Sequence, residues 1–226
     1  MPHPISESRR HFLLGASALA LPALASAQTV DLMGGGQQQS QMPAYQPYQP
    51  VRVAPLYRQR VVELLEFTCP FCRSINLGAQ AWGASLPKPY VFEQMPMVYD
   101  KDSALVAAVY YTAILADPAR KSDIVSSMFH AVQDLHQSPT DPRTYVKAAA
   151  QAGVTQAQFT RALQDSKGRV AYVERVATFT QAVKPRLTPT FVVNDKALDV
   201  NNANGDYQKL FQLLDGFVSQ GLQHHG

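Results

Sequence analysis

The chain has 226 residues, of which 46% are hydrophobic and 16% charged, so its length allows one large domain or two small ones. This composition is typical of a globular protein and excludes collagen-like and wholly disordered chains. The formal net charge of +3 is too small to indicate a nucleic-acid-binding surface. Because the sequence also lacks a phosphate-binding glycine loop and a His-Glu-x-x-His motif, we expect no nucleic acid, cofactor or metal ion to be bound.

The N-terminus has the three parts of an export signal. Ser8-Arg9-Arg10 supplies the basic start, and a stretch of small apolar residues follows and ends in Ala25-Ser26-Ala27. The motif resembles the twin-arginine signal, but Leu14 stands where a lysine is common, so general secretion remains an alternative. An uncleaved membrane anchor is disfavoured because the stretch is short and only weakly hydrophobic. We expect residues 1–27 to be a signal peptide, cleaved after Ala27, that directs the chain to the periplasm.

Residues 28–57 are rich in glycine, glutamine and proline. They contain Gly34-Gly35-Gly36, Gln37-Gln38-Gln39 and a Tyr-Gln-Pro near-repeat at residues 45–50. Such a segment offers few aliphatic side chains to offset the entropy lost on ordering. We predict a flexible linker, with a polyproline docking segment as the alternative.

The folded part is predicted over residues 58–222 as an α/β domain. The nearly continuous apolar run at residues 60–67 is typical of a strand that is covered on both faces. A helix follows it, then a second strand near residues 90–98. Five helical patterns fill the region to Val183, the first capped by Ser103. A strand after Pro189 and an amphipathic helix at residues 206–220 complete the domain, so the helices form an all-helical insert at about residues 101–184.

The only two cysteines, Cys69 and Cys72, lie where the first strand gives way to a helix. In an exported protein, paired cysteines are expected to be oxidised or redox-active. A structural zinc site is disfavoured because no second cysteine pair is present to complete four ligands. A helix N-terminus carries partial positive charge and free amides, so the Cys69 pKa should fall below the usual value of about 8.5.

Together these features resemble the DsbA family of exported thiol-disulfide oxidoreductases, which have a thioredoxin fold with a helical insertion. The resemblance is carried by the strand that leads into Cys69-Pro70-Phe71-Cys72, the helical insert, and the Thr188-Pro189 dipeptide before the next strand. It implies that Cys69 is the attacking sulfur and Cys72 the resolving one. It also implies a cis Pro189 opposite the cysteines, with the Thr188 backbone open to pair with a substrate strand.

Three further residues are expected to tune the cysteine pair. Pro70 and Phe71 lie between the cysteines, and the best-known DsbA pattern has histidine where Phe71 stands. Phenylalanine offers neither a donor nor a charge, so we expect a less acidic Cys69 and a less oxidising couple than in histidine-bearing members. Glu63 falls where DsbA-like proteins keep a buried acid that relays a proton to the resolving cysteine. Glu66 competes for that role, and exposure of both carboxylates is the alternative.

The function expected from this resemblance is donation of the Cys69–Cys72 disulfide to unfolded or reduced exported proteins, with reoxidation by a membrane partner of the DsbB type. Two alternatives stay open. The pair could work in the dithiol form as an isomerase or reductase, or the two thiolates could carry a soft metal ion such as Cu(I) without catalysis.

Overall fold

The computed structural model describes residues 47–223, so the predicted signal peptide and residues 28–46 of the predicted linker lie outside the described residues. A five-stranded mixed sheet has the strand order β1-β5-β4-β2-β3. The strands are β1 (Gln49–Pro50), β2 (Arg60–Leu65), β3 (Val91–Pro96), β4 (Thr190–Val193) and β5 (Lys196–Asp199). The helices are α1 (Pro70–Ala84), α2 (Lys101–Ala116), α3 (Lys121–Gln133), α4 (Pro142–Gln151), α5 (Gln156–Leu163), α6 (Ser166–Val183) and α7 (Tyr207–Gln223). The predicted α/β class with a helical insertion is confirmed.

Strand β2 lies inside the sheet, parallel to β3 and antiparallel to β4. Five of its six residues are buried, which explains why its sequence is nearly continuous in apolar residues. Alternate side chains face opposite sides of the sheet. Val62 and Leu64 belong to the hydrophobic cluster on the side of the insert, and Val61 belongs to the cluster under α1 and α7.

The predicted insert corresponds to helices α2–α6. Ser103, expected as the N-cap of α2, is instead the third residue of that helix. The N-cap is Asp100, whose carboxylate accepts from the Ser103 N–H at 2.8 Å while the Ser103 hydroxyl accepts from the Asp100 N–H at 3.0 Å. A carboxylate is as good a cap as a hydroxyl, and the reciprocal bonds satisfy two otherwise free N–H groups. Among the described helices, none is both long and apolar enough to cross a membrane.

The predicted flexible linker ends before residue 57. Strand β1 pairs antiparallel with β5, and the Val51 N–H donates to the Asp195 carbonyl at 2.8 Å. Val51 and Tyr57 are both buried, and the Tyr48 ring contacts Phe217 edge-on at 5.3 Å. The glycine-, glutamine- and proline-rich composition of residues 28–57 gave no indication that these apolar side chains are buried or that β1 covers the outer edge of β5. Proline is tolerated in β1 because that strand is at the edge of the sheet.

Candidate active site

The two cysteines lie at the N-terminus of α1, where Cys69 is the N-cap and Pro70 the first helical residue. Both are free thiols; Cys69 is half-buried and Cys72 fully buried. The Cys72 N–H donates to Cys69 Sγ at 3.3 Å, and the Cys69 thiol donates to the Thr188 backbone oxygen at 3.1 Å. Cys69 therefore lies between the first turn of α1 and the loop before β4.

The environment gives the two thiols different acidities. Hydrogen bonding lowers the Cys69 pKa to about 6, first from the Cys72 thiol and then from the Thr188 side chain and the N–H groups of Cys72 and Phe71, while partial burial opposes the change. Burial, above all, raises the Cys72 pKa, and the hydrogen bond to Cys69 and the charge of Glu63 act in the same direction. At neutral pH Cys69 is thus mainly thiolate and Cys72 is protonated, so the outer sulfur has the acidity and the exposure that a nucleophile needs.

The Thr188-Pro189 peptide bond is cis, as the family resemblance implies, and Pro189 is buried. A second cis peptide bond, Lys88-Pro89, precedes β3, and no sequence motif predicts it. The Thr190 hydroxyl donates to the Leu187 carbonyl at 2.6 Å and so holds the loop that carries Thr188. This loop and the cysteine motif come from opposite ends of the helical insert, and the sheet brings them together.

Glu63 and Glu66 occupy different environments. The Glu63 side chain is 0% exposed, and burial raises its pKa to about 8, although a hydrogen bond from Gln94 and the charge of Lys121 act the other way. Glu66 follows the end of β2 and is partly exposed. It lies beside the Tyr99 hydroxyl, where burial, followed by the Glu66 charge, raises the Tyr99 pKa to about 12. The structure therefore brings Glu63, and not Glu66, beneath the cysteines.

A buried network of neutral amides extends from Glu63. Gln94, opposite Glu63 on β3, donates to Glu63 Oε2 at 2.9 Å and to Asn76 Oδ1 at 3.1 Å. Asn76, one turn after Cys72 on α1, also accepts from Gln80 at 2.8 Å and donates to the Ser126 hydroxyl at 3.2 Å. The only sequence signal for Gln94 and Asn76 is that each is a polar residue inside a predicted buried element.

Two apolar side chains are exposed where the active-site loops meet. Phe71, between the cysteines, is 54% exposed, and Leu187, next to Thr188, is 42% exposed. Pro70 begins α1 without losing a helical hydrogen bond, since the first N–H groups of a helix have no intrahelical acceptor. The surface around Cys69 therefore presents apolar groups on both contributing loops.

The insert contacts the active-site loop through the end of α3. Gln133 donates to the backbone oxygens of Phe67 at 2.8 Å and Cys69 at 3.0 Å. The neighbouring Asp134 forms a two-pronged ion pair with Arg73 in the first turn of α1 and accepts from His130 at 2.7 Å. The sequence pattern singles out none of these residues. Within residues 47–223 no three His, Cys, Asp or Glu side chains are grouped as metal ligands.

Comparison with known proteins gives one consistent result. A family model described as thioredoxin matches residues 58–213. The thiol:disulfide interchange protein DsbA of Bordetella pertussis is 24% identical over 161 residues, covering 71% of this chain and 75% of that protein. The protein of the same name from Pseudomonas aeruginosa is 24% identical over 172 residues, covering 76% and 80% of the two chains.

Solved structures agree on the fold. The crystal structure of Pseudomonas aeruginosa DsbA matches with a TM-score of 0.66 and 22% identity, covering 78% of this chain and 91% of that one. The oxidoreductase NmDsbA1 from N. meningitidis matches with a TM-score of 0.65 and 15% identity, covering 78% and 90%. A Proteus DsbA variant with a non-covalently bound peptide, PWATCDS, matches with a TM-score of 0.61 and 14% identity, covering 76% and 96%.

Proposed function

Because the chain belongs to the thioredoxin family, and within it to the DsbA-like thiol-disulfide oxidoreductases, we propose that it donates a Cys69–Cys72 disulfide to unfolded or reduced exported proteins. The observation that carries this proposal is the asymmetry of the pair. Cys69 has a pKa lowered to about 6 and is partly exposed, whereas burial raises the pKa of Cys72. A thiol of low pKa is a good leaving group, which favours transfer of the disulfide away from the protein.

The exchange takes two steps. A substrate thiolate attacks Cys69 Sγ of the disulfide, the bond between the cysteines breaks, and Cys72 leaves as a thiolate that must take up a proton. A second substrate thiolate then attacks the substrate sulfur of the mixed disulfide, and Cys69 leaves as a thiolate. Two electrons pass from the substrate dithiol to the cysteine pair, and the substrate gains the disulfide.

Glu63 is suited to supply the proton that Cys72 needs. With a pKa raised to about 8, the carboxyl is mainly protonated at neutral pH. A thiolate that forms in the buried site is strongly disfavoured by desolvation, so a nearby carboxyl would lower the barrier to opening the disulfide. The hydrogen bond from Gln94 at 2.9 Å fixes the orientation of this buried carboxyl.

Thr188 and Pro189 are suited to bind the substrate next to Cys69. The Thr188 oxygen lies 3.1 Å from Cys69 Sγ, so an extended segment that pairs with this backbone would bring its own cysteine to the reacting sulfur. The exposed side chains of Phe71 and Leu187 favour apolar residues in that segment. The peptide bound to the Proteus relative contains a cysteine, which supports this class of ligand.

Export and reoxidation complete the proposed cycle. The Ser8-Arg9-Arg10 leader supports delivery to the periplasm with cleavage after Ala27. There a membrane partner of the DsbB type would accept two electrons from the dithiol and restore the disulfide. The N-terminal sequence of the exported protein tests the cleavage site.

Replacement of Cys72 by Ala tests the proposed reaction. Without the resolving sulfur, Cys69 should stay joined to substrates, so exported proteins should accumulate as mixed disulfides that are seen on non-reducing gels and released by reductant. The Cys69→Ala, Cys72→Ala double variant is the matched control and should capture nothing. Absence of adducts on the single variant would contradict the proposal. A wild-type pair that is mainly reduced in the exported protein would instead support an isomerase or reductase.

A further inference from the structure

The active-site loop, residues 66–69, depends on the helical insert for a hydrogen-bond donor. The loop joins the end of β2 to the start of α1, so the Phe67 carbonyl lies outside both regular elements. The Gln133 amide donates to that carbonyl at 2.8 Å and to the Cys69 carbonyl at 3.0 Å. A buried carbonyl that loses its donor costs about 1–3 kcal/mol, so this amide stabilises one arrangement of the loop.

The hydrogen bond from Gln133 to the Cys69 carbonyl restricts the backbone conformation of Cys69. The direction of the Cys69 carbonyl is set by the backbone angle ψ of Cys69, which is 116° in the extended N-cap conformation. In that conformation the Cys69 oxygen also accepts from the Arg73 N–H at 3.2 Å, and Sγ accepts from the Cys72 N–H at 3.3 Å. Rotation of the Cys69 carbonyl away from Gln133 would weaken the bond from the Arg73 N–H and would turn Sγ away from the Cys72 N–H.

The ring of Phe67 reinforces the same attachment. It packs against Phe129 of α3 at 5.0 Å between ring centroids and against Tyr145 of α4 at 5.2 Å. The insert thus contacts the ring of Phe67 through apolar groups. Its Gln133 amide also donates to the backbone carbonyls of Phe67 and Cys69. The apolar contact fixes the position of the loop, and the amide fixes the orientation of its peptide groups.

We propose that Gln133 is a positioning residue for Cys69: its side-chain amide holds the Phe67 and Cys69 carbonyls so that the thiol stays aligned with the first turn of α1 and with Thr188. This inference rests on the proposed disulfide chemistry and gives the helical insert a part in it. Gln133 itself touches no reacting atom. Its effect reaches the sulfur through the backbone of Cys69.

Gln133→Leu tests the proposal because leucine has a similar size and no donor. The exchange does not alter the net charge, and it retains the ionisable groups near the site, Arg73, Asp134, His130 and Glu63. We expect the Cys69 pKa, measured by ultraviolet absorbance of the thiolate against pH, to rise by about 0.5–1 unit as the thiolate loses well-aligned donors. A rise from about 6 to about 7 would weaken the preference for the dithiol at pH 7 about fivefold, which makes the reduction potential more negative by about 20 mV.

Gln151→Leu is the matched control. Like Gln133, Gln151 is the last residue of an insert helix, but its side chain is exposed. It should leave both the pKa and the potential unchanged. If Gln133→Leu does not fold, Gln133→Met removes the donor while keeping an unbranched side chain, and the same rise is expected. Variants that lose thermal stability but keep the wild-type pKa and potential would show a merely structural role and overturn the inference. A wild-type Cys69 that titrates near 8.5 would instead contradict the proposed function.

Discussion

Three ionisable side chains at the active site differ in acidity because they differ in burial and in hydrogen-bond partners. The Cys72 thiol and the first N–H groups of α1 donate to Cys69 and lower its pKa to about 6. Burial raises the pKa of Glu63 to about 8 despite the hydrogen bond from Gln94, and burial also raises the pKa of Cys72. Neighbouring groups with pKa values shifted in opposite directions are typical of sites that transfer protons. These environments support the proposed roles of nucleophile, resolving thiol and proton donor.

The side chain of Phe71 adds neither a donor nor a charge to the thiolate, although its backbone N–H helps to lower the Cys69 pKa. Its ring is largely exposed, and Cys69 is acidified by its neighbours' thiol, hydroxyl and N–H groups. A pKa of about 6 lies well above about 3.5, the value reached in the most acidic cysteine of this kind. The prediction of a milder couple than in histidine-bearing relatives stays open to the acid titration of Cys69.

Glu63→Gln should change how stability depends on pH. In the unfolded chain the carboxyl has a pKa of about 4.3, and in the folded protein burial raises it to about 8. The folded state therefore binds the extra proton between these values, so the contribution of Glu63 to stability is fully present below about pH 4.3 and is lost as the pH rises through about 8. The maximal slope for one proton is about 1.4 kcal/mol per pH unit.

Urea denaturation of wild type and Glu63→Gln across this range measures the effect. Cys69 contributes an opposite slope, since its lowered pKa stabilises the folded dithiol form above the unfolded value and that stability is lost as the pH falls through about 6. Both proteins share this term, so their difference isolates Glu63. We expect the stability of Glu63→Gln relative to wild type to increase with pH. Glu66→Gln is the control, and parallel curves for wild type and Glu63→Gln would refute the prediction.

At the scale of the elements, the position of the cysteine-bearing helix depends on a close approach between α1 and β3. Gly83, near the end of α1, faces the Phe92 side chain of β3, and a methyl group at Gly83 would overlap the Cβ and ring of Phe92. Phe92 is in turn held between Trp82 at 6.1 Å and Phe191 at 6.4 Å between ring centroids. Only glycine leaves room for α1 to lie this close to the sheet.

Alanine substitutions at two helical glycines should have opposite effects. Gly83→Ala forces either α1 or Phe92 to move, and overpacking of this kind costs about 1–3 kcal/mol. Gly216→Ala in α7 meets no atom within 4 Å, so it should stabilise the protein by about 0.5–1 kcal/mol through the better helix propensity of alanine. Urea midpoints measure both. Stabilisation by both variants would show that α1 does not need the close approach.

At the scale of the whole molecule, the segment before β2 closes the sheet on the side away from β3. Strand β1 covers β5, and the Lys196 ammonium lies over the rings of Tyr48 and Phe217 at 5.4 Å and 5.6 Å, which joins the N-terminal segment to α7. Val51 fills the cluster that also contains the insert residues. The N-terminal segment thus stabilises the fold at the β1 edge of the sheet, which is opposite the β3 edge.

A chain that begins at Pro55 lacks β1 and Val51 and should be less stable. Burial of one valine contributes about 1.5–3 kcal/mol, so we expect a loss of about 2 kcal/mol and a Tm lower by about 4–8 °C. The Cys69 pKa should not change, because none of the removed residues takes part in the hydrogen bonds that Cys69 forms with Thr188, Cys72 and Gln133. A chain that begins at Pro47 keeps all the described contacts and is the control. An unchanged Tm for the shorter chain would mean that β1 contributes nothing.

The sequence alone predicted the fold class, strands β2, β3 and β4, helices α1 and α7, the helical insert and the cysteine motif, but neither β1 nor β5. Apolar periodicity, helix breakers and the C-x-x-C motif depend only on residues that are close in sequence. They can therefore be identified without the tertiary structure. The choice between Glu63 and Glu66 had no local basis, since both lie in the strand predicted at residues 60–67, although β2 ends at Leu65. It became definite only when the structure showed Glu63 fully buried.

Only the tertiary structure showed which polar side chains from distant parts of the chain form hydrogen bonds with Glu63 and the active-site loop. Gln94 reaches Glu63 because β2 and β3 pair in one register, and Gln133 reaches the active-site loop because α3 packs against α1. The ordering of β1 likewise depends on the free edge of β5. A glutamine or a short Gln-Pro segment looks the same in sequence whether solvent or a backbone carbonyl is its partner. The physical reason is that the free energy of each such contact depends on burial and on a partner far along the chain.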